Sequence, residues 1–335
     1  MAGQEPRSAT RLWWRLGLGL GLLLVLFFYL VDPRQVWTHL RNANPLLLIL
    51  LMLWLSADRL LMSYKWTILL HCRGMAMGQA EALRAYYLGT FAGCFLPSTL
   101  GADALRISAV SRHERPSQEV AASVFMERML GMMATALAGL VGLVLLGQVA
   151  VAAPPGRMAA TMTITLGLAG ATLIALALSL SGLAGRLLER VERKLAGRGK
   201  LGGWLGKFLI AYHQYRRHPG ALAWFLVLSF LEQGSPVVAN WIAAQALHLD
   251  VSPLALAAAT PVAMALARVP IWFSSFGVVE GLFVFFFGLV GIGATEAFLL
   301  GLTTNVMAML TALPGLFFYL HGGLRGKNAG HEARP

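Results

Sequence analysis

Charge is what this sequence has least of. Of its 335 residues, 13% are Asp, Glu, Lys or Arg and 57% are apolar, with a mean hydropathy of +0.67. A soluble domain carries roughly a quarter charged residues, so that class is excluded and a polytopic membrane protein is indicated. Cysteine is scarce too. Cys72 and Cys94 lie in or beside apolar stretches with no CxxC or Cys/His spacing, which argues against a disulfide framework and a zinc site. There is no HExxH pair and no phosphate-cradling glycine loop with its lysine, and the eight histidines show no metal-ligand spacing. No cofactor is therefore expected. Ser98, Thr99, Ser274 and Ser275 have no histidine close in sequence to act as a base, so their hydroxyls are read as rebonding freed backbone rather than as nucleophiles.

What charge there is has a telling distribution. The net charge of +12 would suit nucleic acid, but nine Lys and Arg fall between Arg186 and Arg217 against Glu189 and Glu192. That is a juxtamembrane basic loop, suited to the cytoplasmic side and its anionic lipid headgroups, and no nucleic-acid partner is expected. Arg7, Arg11 and Arg15 precede the first apolar run, and no small-residue cleavage site follows before Asp32 and Pro33. The run is read as a retained first helix.

Windows long enough to span, about 20 residues, fall at 16–31, 45–70, 119–147, 158–181, 221–245 and 296–320. The expected architecture is all-α, with about six spanning helices and two re-entrant or broken helical hairpins in an inverted repeat. The basic N-terminus 1–15, the loop 183–219 and the tail 323–335 are expected on the cytoplasmic face of a bacterial inner membrane, with 16–322 forming a single transmembrane domain. The two hairpins are the remaining apolar stretches, 81–112 and 253–293, interrupted by "LPSTLGAD" and "VPIWFSSFGVVE". Each break places a proline, a serine-bearing turn, a glycine and then a carboxylate: Pro97, Gly101 and Asp103 in the first, Pro270, Gly277 and Glu280 in the second. Proline removes a donor and glycine permits a turn, so backbone groups lose their helical partners, and lipid offers no replacement. Paired breaks of this kind point to a transporter's substrate site. The alternative is two ordinary kinked helices with a shifted topology.

Ionisable residues at depth are costly, roughly 2.5–3.5 kcal/mol each on insertion scales, yet several lie in apolar windows. Asp58 and Arg59 sit midway along the second window, Glu127 and Arg128 near the start of the third, and Glu232 in the middle of the fifth. Asp103 and Arg106 follow the first break, and Arg268 and Glu280 flank the second. Asp103 and Arg106, three apart, share a helix face. Asp103 is read as a helix cap or a cavity group. Arg106 is read as a bidentate ligand for lipid phosphate, with Arg128 or Arg268 as a second contact, or as a snorkelling side chain. Glu127 is expected to meet Arg106 or Arg59, and Glu280 to meet Arg268 or a substrate cation. Glu232 either lines the same cavity or bonds to neighbouring backbone.

"FLPSTLGADALR", then "SVFMERMLGMMA", then "VPIWFSSFGVVEGLF" and a closing "LPGLFFYL" together resemble the flippase-like transmembrane region of lysylphosphatidylglycerol synthases, over roughly residues 15–322. That family includes stand-alone bacterial relatives, among them a hopanoid-associated branch. The resemblance implies movement of a lipid or polyprenyl-linked molecule between leaflets, with Pro97, Gly101, Asp103, Arg106, Glu127, Arg128, Pro270, Gly277 and Glu280 as family-type positions. The sequence departs at Cys94, where asparagine is common, at Ala102, where a second glycine is common, and at Val279, where a basic residue often precedes the glutamate. The last change removes a charge from the implied cavity. Because no soluble aminoacyl-transferring domain follows, the chain is expected not to make lysyl-lipid and not to be an enzyme. Two competing readings stay open: an intramembrane enzyme acting on lipid-linked phosphates, and a non-catalytic partner of a lipid-modifying enzyme.

Overall fold

Proline opens much of this architecture. In the computed structural model it stands first in α1 (Pro33–Arg41), α2 (Pro45–His71), α8 (Pro219–Glu232) and α10 (Pro253–Ala267). Its missing N–H has no carbonyl to meet there, and its fixed φ is already helical. Asp32 and Asn44 cap the first two by accepting from the N–H groups of Arg34 at 2.9 Å and Leu46 at 3.0 Å. The other helices are α3 (Gln79–Phe95), α4 (Thr99–Val110), α5 (Ser117–Val149), α6 (Pro155–Leu180), α7 (Gly199–Gln214), α9 (Ser235–Ala246), α11 (Val278–Leu289) and α12 (Ala294–Leu310). The structure describes residues 32–95, 99–111, 114–149, 155–181, 190–191, 199–268 and 277–320. The expected first span 16–31, the break residues Pro97 and Pro270, and the tail 323–335 lie outside them.

This is an all-α polytopic membrane protein. Among the described residues, five stretches are long and apolar enough to cross a bilayer: Pro45–His71, Ser117–Val149, Ala159–Leu180, Pro219–Ala246 and Ala294–Leu320. Two of them are not continuous rods, contrary to the simple reading of their apolar windows. Pro236 has no N–H for the carbonyl of Glu232, so the fourth parts into α8 and α9 at Gln233–Gly234. Pro314 likewise follows a turn at 311–313 that ends α12 before a last helical segment, 314–320.

Both interrupted stretches fold back on themselves, α3 against α4 and α10 against α11. Hydrogen bonds fix their ends. The Asn44 N–H donates to the carbonyl of Ala246 at 2.8 Å, and the Tyr215 hydroxyl donates to the carbonyl of Leu69 at 3.0 Å. Hence α2 runs antiparallel to α8–α9. The first hairpin starts beyond His71, at what we call the basic end, and an Arg115–Glu81 salt bridge of 2.9 Å returns its exit to the same end. The second starts beyond Ala246. His39 Nδ1 meets the carbonyl of Leu247 and the Asp32 N–H reaches Thr295, so α1 places the second hairpin's entry and exit together at the opposite end. The two hairpins therefore enter from opposite ends, and each one's second arm packs on the long helix that follows it, α4 on α5 and α11 on α12.

Helix α5, 33 residues long, is the shared wall, contacting α2, α4, α6, α7, α8 and α10. Its closest neighbour is α10, and small residues permit the approach: a Cβ on Gly142 would lie 2.8 Å from the carbonyl oxygen of Ala258, and one on Gly139 would lie 3.0 Å from Ala265 Cβ. A phenylalanine-rich core of Phe283, Phe286, Phe287 and Phe298 fills the opposite half. The faces of α2 and α6 expose Leu46, Ile49, Leu53, Ile164, Leu173 and Leu178, the surface expected of helices that meet lipid tails.

Candidate functional site

Helix α4 begins at Thr99, just past the first break, which puts Asp103 beyond its first turn and Arg106 three residues later on the same face. Opposite them on α5, Glu127 and Arg128 diverge as adjacent helical residues must. Glu127 meets Arg106: Nη2 donates to Oε2 at 2.8 Å and Nη1 to Oε1 at 3.4 Å. Arg128 Nε donates to Asp103 Oδ2 at 2.5 Å, and Asp103 also lies 3.8 Å from Arg106. The Arg106 guanidinium sits between the rings of Trp66 and Tyr86, 4.6 and 4.5 Å from their centroids, and is 6% exposed. The Tyr86 hydroxyl donates to Glu127, and Trp66 Nε1 donates to Ser123 Oγ at 3.0 Å. The fork of Arg106 is taken by a carboxylate and both of its faces by aromatic rings, so it clasps the first hairpin to α2 and α5. The aromatic half of the clasp had no sequence signal beyond ordinary membrane aromatics.

The second break resolves differently. Gly277, at φ +80°, occupies the left-handed region that glycine adopts without strain. Its N–H donates to Glu280 Oε2 at 2.7 Å, and Asn305 Nδ2 of α12 donates to Oε1 at 3.1 Å. Glu280 is fully buried. The expected partners, Arg268 or a substrate cation, are thus replaced by a helix cap and an amide: a carboxylate three residues into a helix reaches back to the free N–H at its start. Arg268, the C-cap of α10, is exposed and donates from Nη1 to the carbonyl of Gly131 on α5 at 3.3 Å.

A third buried group joins α2 to the kink between α8 and α9. Lys65 forms an ion pair with Glu232, the two side chains being 6% and 8% exposed. Its ammonium also donates to Ser229 Oγ at 3.0 Å and lies 5.2 Å from the Phe225 ring centroid. Glu232 therefore has an ion partner from another helix, in place of the neighbouring backbone. Lys65 was missed by sequence reasoning; its signal was its place seven residues after Asp58, two turns along one helix face. Asp58 lies beside Ser235 and within electrostatic reach of Lys65, Arg59 and Arg268, and its Oδ1 is buried without a hydrogen-bond partner. Arg59 Nε is buried in the same condition, and its Nη1 reaches only the Met62 sulfur, at 3.9 Å.

These clusters converge on one stretch of α5. Arg128 receives Asp103 from the first hairpin and Gly131, three residues on, receives Arg268 from the second. Thr135, one further turn along, donates to Gln233 Oε1 at the kink, at 3.1 Å. A crevice between α5, α6 and α10 is lined by Thr135, Thr172, Ala265 and Arg268. The two guanidinium groups at this convergence remain accessible, Arg128 with 40% of its side chain exposed and Arg268 exposed. Arg128, paired with Asp103, lies within electrostatic reach of Arg268, and accessible guanidinium groups are natural partners for anionic oxygens. Among the described residues, no group of three His, Cys, Asp or Glu could hold a metal ion.

The basic end is closed separately. Arg73 binds Glu119 at 3.1 Å and the side chain of Gln214, tying the α2–α3 turn to α5 and α7. Burial pushes the neighbouring Cys72 thiol up to about 11, opposed by the Arg73 charge.

Among known families, the model of the lysylphosphatidylglycerol synthase TM region aligns to residues 12–315. No curated protein and no solved structure matches the chain.

Proposed function

The chain belongs to the lysylphosphatidylglycerol synthase TM-region family, and from that premise we propose that it is a translocase that moves a phosphate-bearing lipid or polyprenyl-linked molecule between leaflets. The family supports a membrane, lipid-related role. The finer reading rests on one observation: Arg128 and Arg268 present accessible guanidinium groups one turn apart along α5, where a hairpin from each end of the bundle arrives. Guanidinium forks suit phosphate oxygens, and irregular backbone at depth is tolerated beside a hydrated cavity. The headgroup would pass along this wall while the tails stay in lipid. Asp103 would hold Arg128 in position, and the clasp around Arg106 would keep the first hairpin rigid during passage. In this reading the basic end faces the cytoplasm of a bacterial inner membrane, where exposed Arg216 and Arg217 meet anionic headgroups.

The test is lipid movement in liposomes carrying purified protein, with a fluorescent phospholipid, a polyprenyl-phosphate analogue and a phosphate-free ceramide analogue. Arg128→Gln and Arg268→Gln, checked for folding by circular dichroism and gel filtration, are expected to lower movement of the phosphate-bearing probes by about tenfold or more, the loss of one charge-assisted contact. Equal rates in wild type and both variants, or equal movement of the phosphate-free probe, would refute the assignment.

A further inference from the structure

The Lys65–Glu232 pair has no part in holding the headgroup, yet it is among the most costly features of the bundle. Both groups are buried in candidate membrane spans, where an ion pair survives only because its members neutralise each other. The pair also sits at a weak point. Pro236 leaves the Glu232 carbonyl without its helical donor, so side chains brace the α8–α9 kink: Lys65 on Glu232, Trp54 Nε1 on the Ser235 carbonyl at 3.2 Å, and Thr135 on Gln233 at 3.1 Å.

The charged groups around the pair come from three other sources. Helix α2 supplies Asp58 and Arg59 in addition to Lys65, α5 supplies Glu127 and Arg128, and the end of α10 supplies Arg268. The only charged residue of α8 is Glu232, and α9 has none. Glu127 is already committed to Arg106 and Tyr86. Asp58 is different, since one of its buried oxygens has no hydrogen-bond partner. Lysine side chains on a helix lean toward its N-terminus, and Asp58 lies in that direction from Lys65. The ammonium thus has one occupied carboxylate and one with an open position.

From this geometry we infer that Glu232 is a proton-binding site: a proton taken from water converts its carboxylate to a neutral acid, releases the Lys65 ammonium toward Asp58, and removes one strut from the α8–α9 kink. The step balances as one proton gained and no other bond made or broken. Gln233 links the kink to Thr135, one turn from Gly131, where Arg268 docks, so the released kink adjoins the proposed headgroup path. A proton and an anionic headgroup loaded together add no net charge to the interior. This second, coupling half of the inference rests on the translocase reading, whereas the proton site itself does not.

Infrared difference spectra between acidic and alkaline buffer, on protein in phosphatidylcholine vesicles, report buried carboxyl protonation without any transport. Wild type is expected to gain one protonated carboxyl band on acidification. Glu232→Gln should lack the band and Asp58→Asn should keep it, while Glu232→Asp, which preserves the charge, should keep it with a displaced midpoint. In vesicles with a pH gradient, wild-type movement of the phosphate-bearing probe should change about fivefold or more when the gradient is reversed, the scale of a coupled two-state element, and Glu232→Gln should be indifferent. A band that persists in Glu232→Gln, or no band in wild type, overturns the proton site. A Glu232-dependent band in a protein that moves no lipid upholds the proton site and refutes the translocase reading.

Discussion

Replacing Arg106 with methionine separates a structural clasp from a substrate ligand. The substitution keeps much of the side chain's apolar bulk but leaves the largely covered Glu127 with only the Tyr86 hydroxyl and deprives the Trp66 and Tyr86 rings of their cation. Removing one partner of a buried pair costs about 3–5 kcal/mol because the other charge is stranded, and each desolvated cation–π contact adds about 0.5–2 kcal/mol. Arg106→Met should therefore lose at least about 3 kcal/mol of stability, measured by equilibrium unfolding in mixed micelles. The double variant Arg106→Met/Glu127→Leu removes the stranded charge as well and should return to within about 2 kcal/mol of wild type. Its remaining deficit is the Tyr86 hydroxyl without an acceptor and Asp103 with Arg128 alone. A single variant within about 1 kcal/mol of wild type that nevertheless abolished lipid movement would refute the reasoning, because Arg106 would then act on the substrate.

Two further outcomes follow from the same geometry. Glu280→Gln retains an oxygen to accept from the Gly277 N–H, and its new N–H can donate to the Asn305 side-chain oxygen once that amide turns over, so it should unfold within about 1 kcal/mol of wild type, whereas Glu280→Ala should cost about 2–3 kcal/mol by leaving the Gly277 N–H and the Asn305 amide unserved; thermal unfolding in detergent distinguishes them. With its thiol held up at about 11 by burial, Cys72 is almost wholly protonated at neutral pH, so in a Cys94→Ser background its alkylation should be slow near neutrality and climb as pH rises toward that value, while early saturation near the ordinary thiol range of about 8.5 would show the burial to be wrong.

Much of the bundle could be read from apolar run lengths, because a bilayer sets both the length of a span and the penalty for interrupting it. The proline and glycine of each break also marked both fold-back hairpins, and the serial order of loops gave their opposite directions. Glu127 meets Arg106, one of the two partners expected for it, but most of the other charges carried no sign of theirs. Lys65 and Glu232 lie on helices far apart in sequence, and neither carries a local cue to the other. Glu280 misled for the opposite reason. Its partner is its own helix start, a local capping pattern that a search for opposite charges passes over. The surroundings of Arg106 were equally hidden, since the flanking rings of Trp66 and Tyr86 come from two other helices.

Each hairpin leaves the bundle by the end at which it entered, as the Arg115–Glu81 bridge and the α1 contacts of Leu247 and Thr295 show. In counting crossings, a hairpin is worth zero. Losing or gaining one during evolution, or deleting it by engineering, leaves every later helix with the orientation it had, whereas losing any single span turns the remainder of the chain upside down. Exchanging a hairpin should therefore leave the orientation of every span unchanged, and a graft of residues 79–115 or 253–292 from one such protein into another should insert with its host's topology intact.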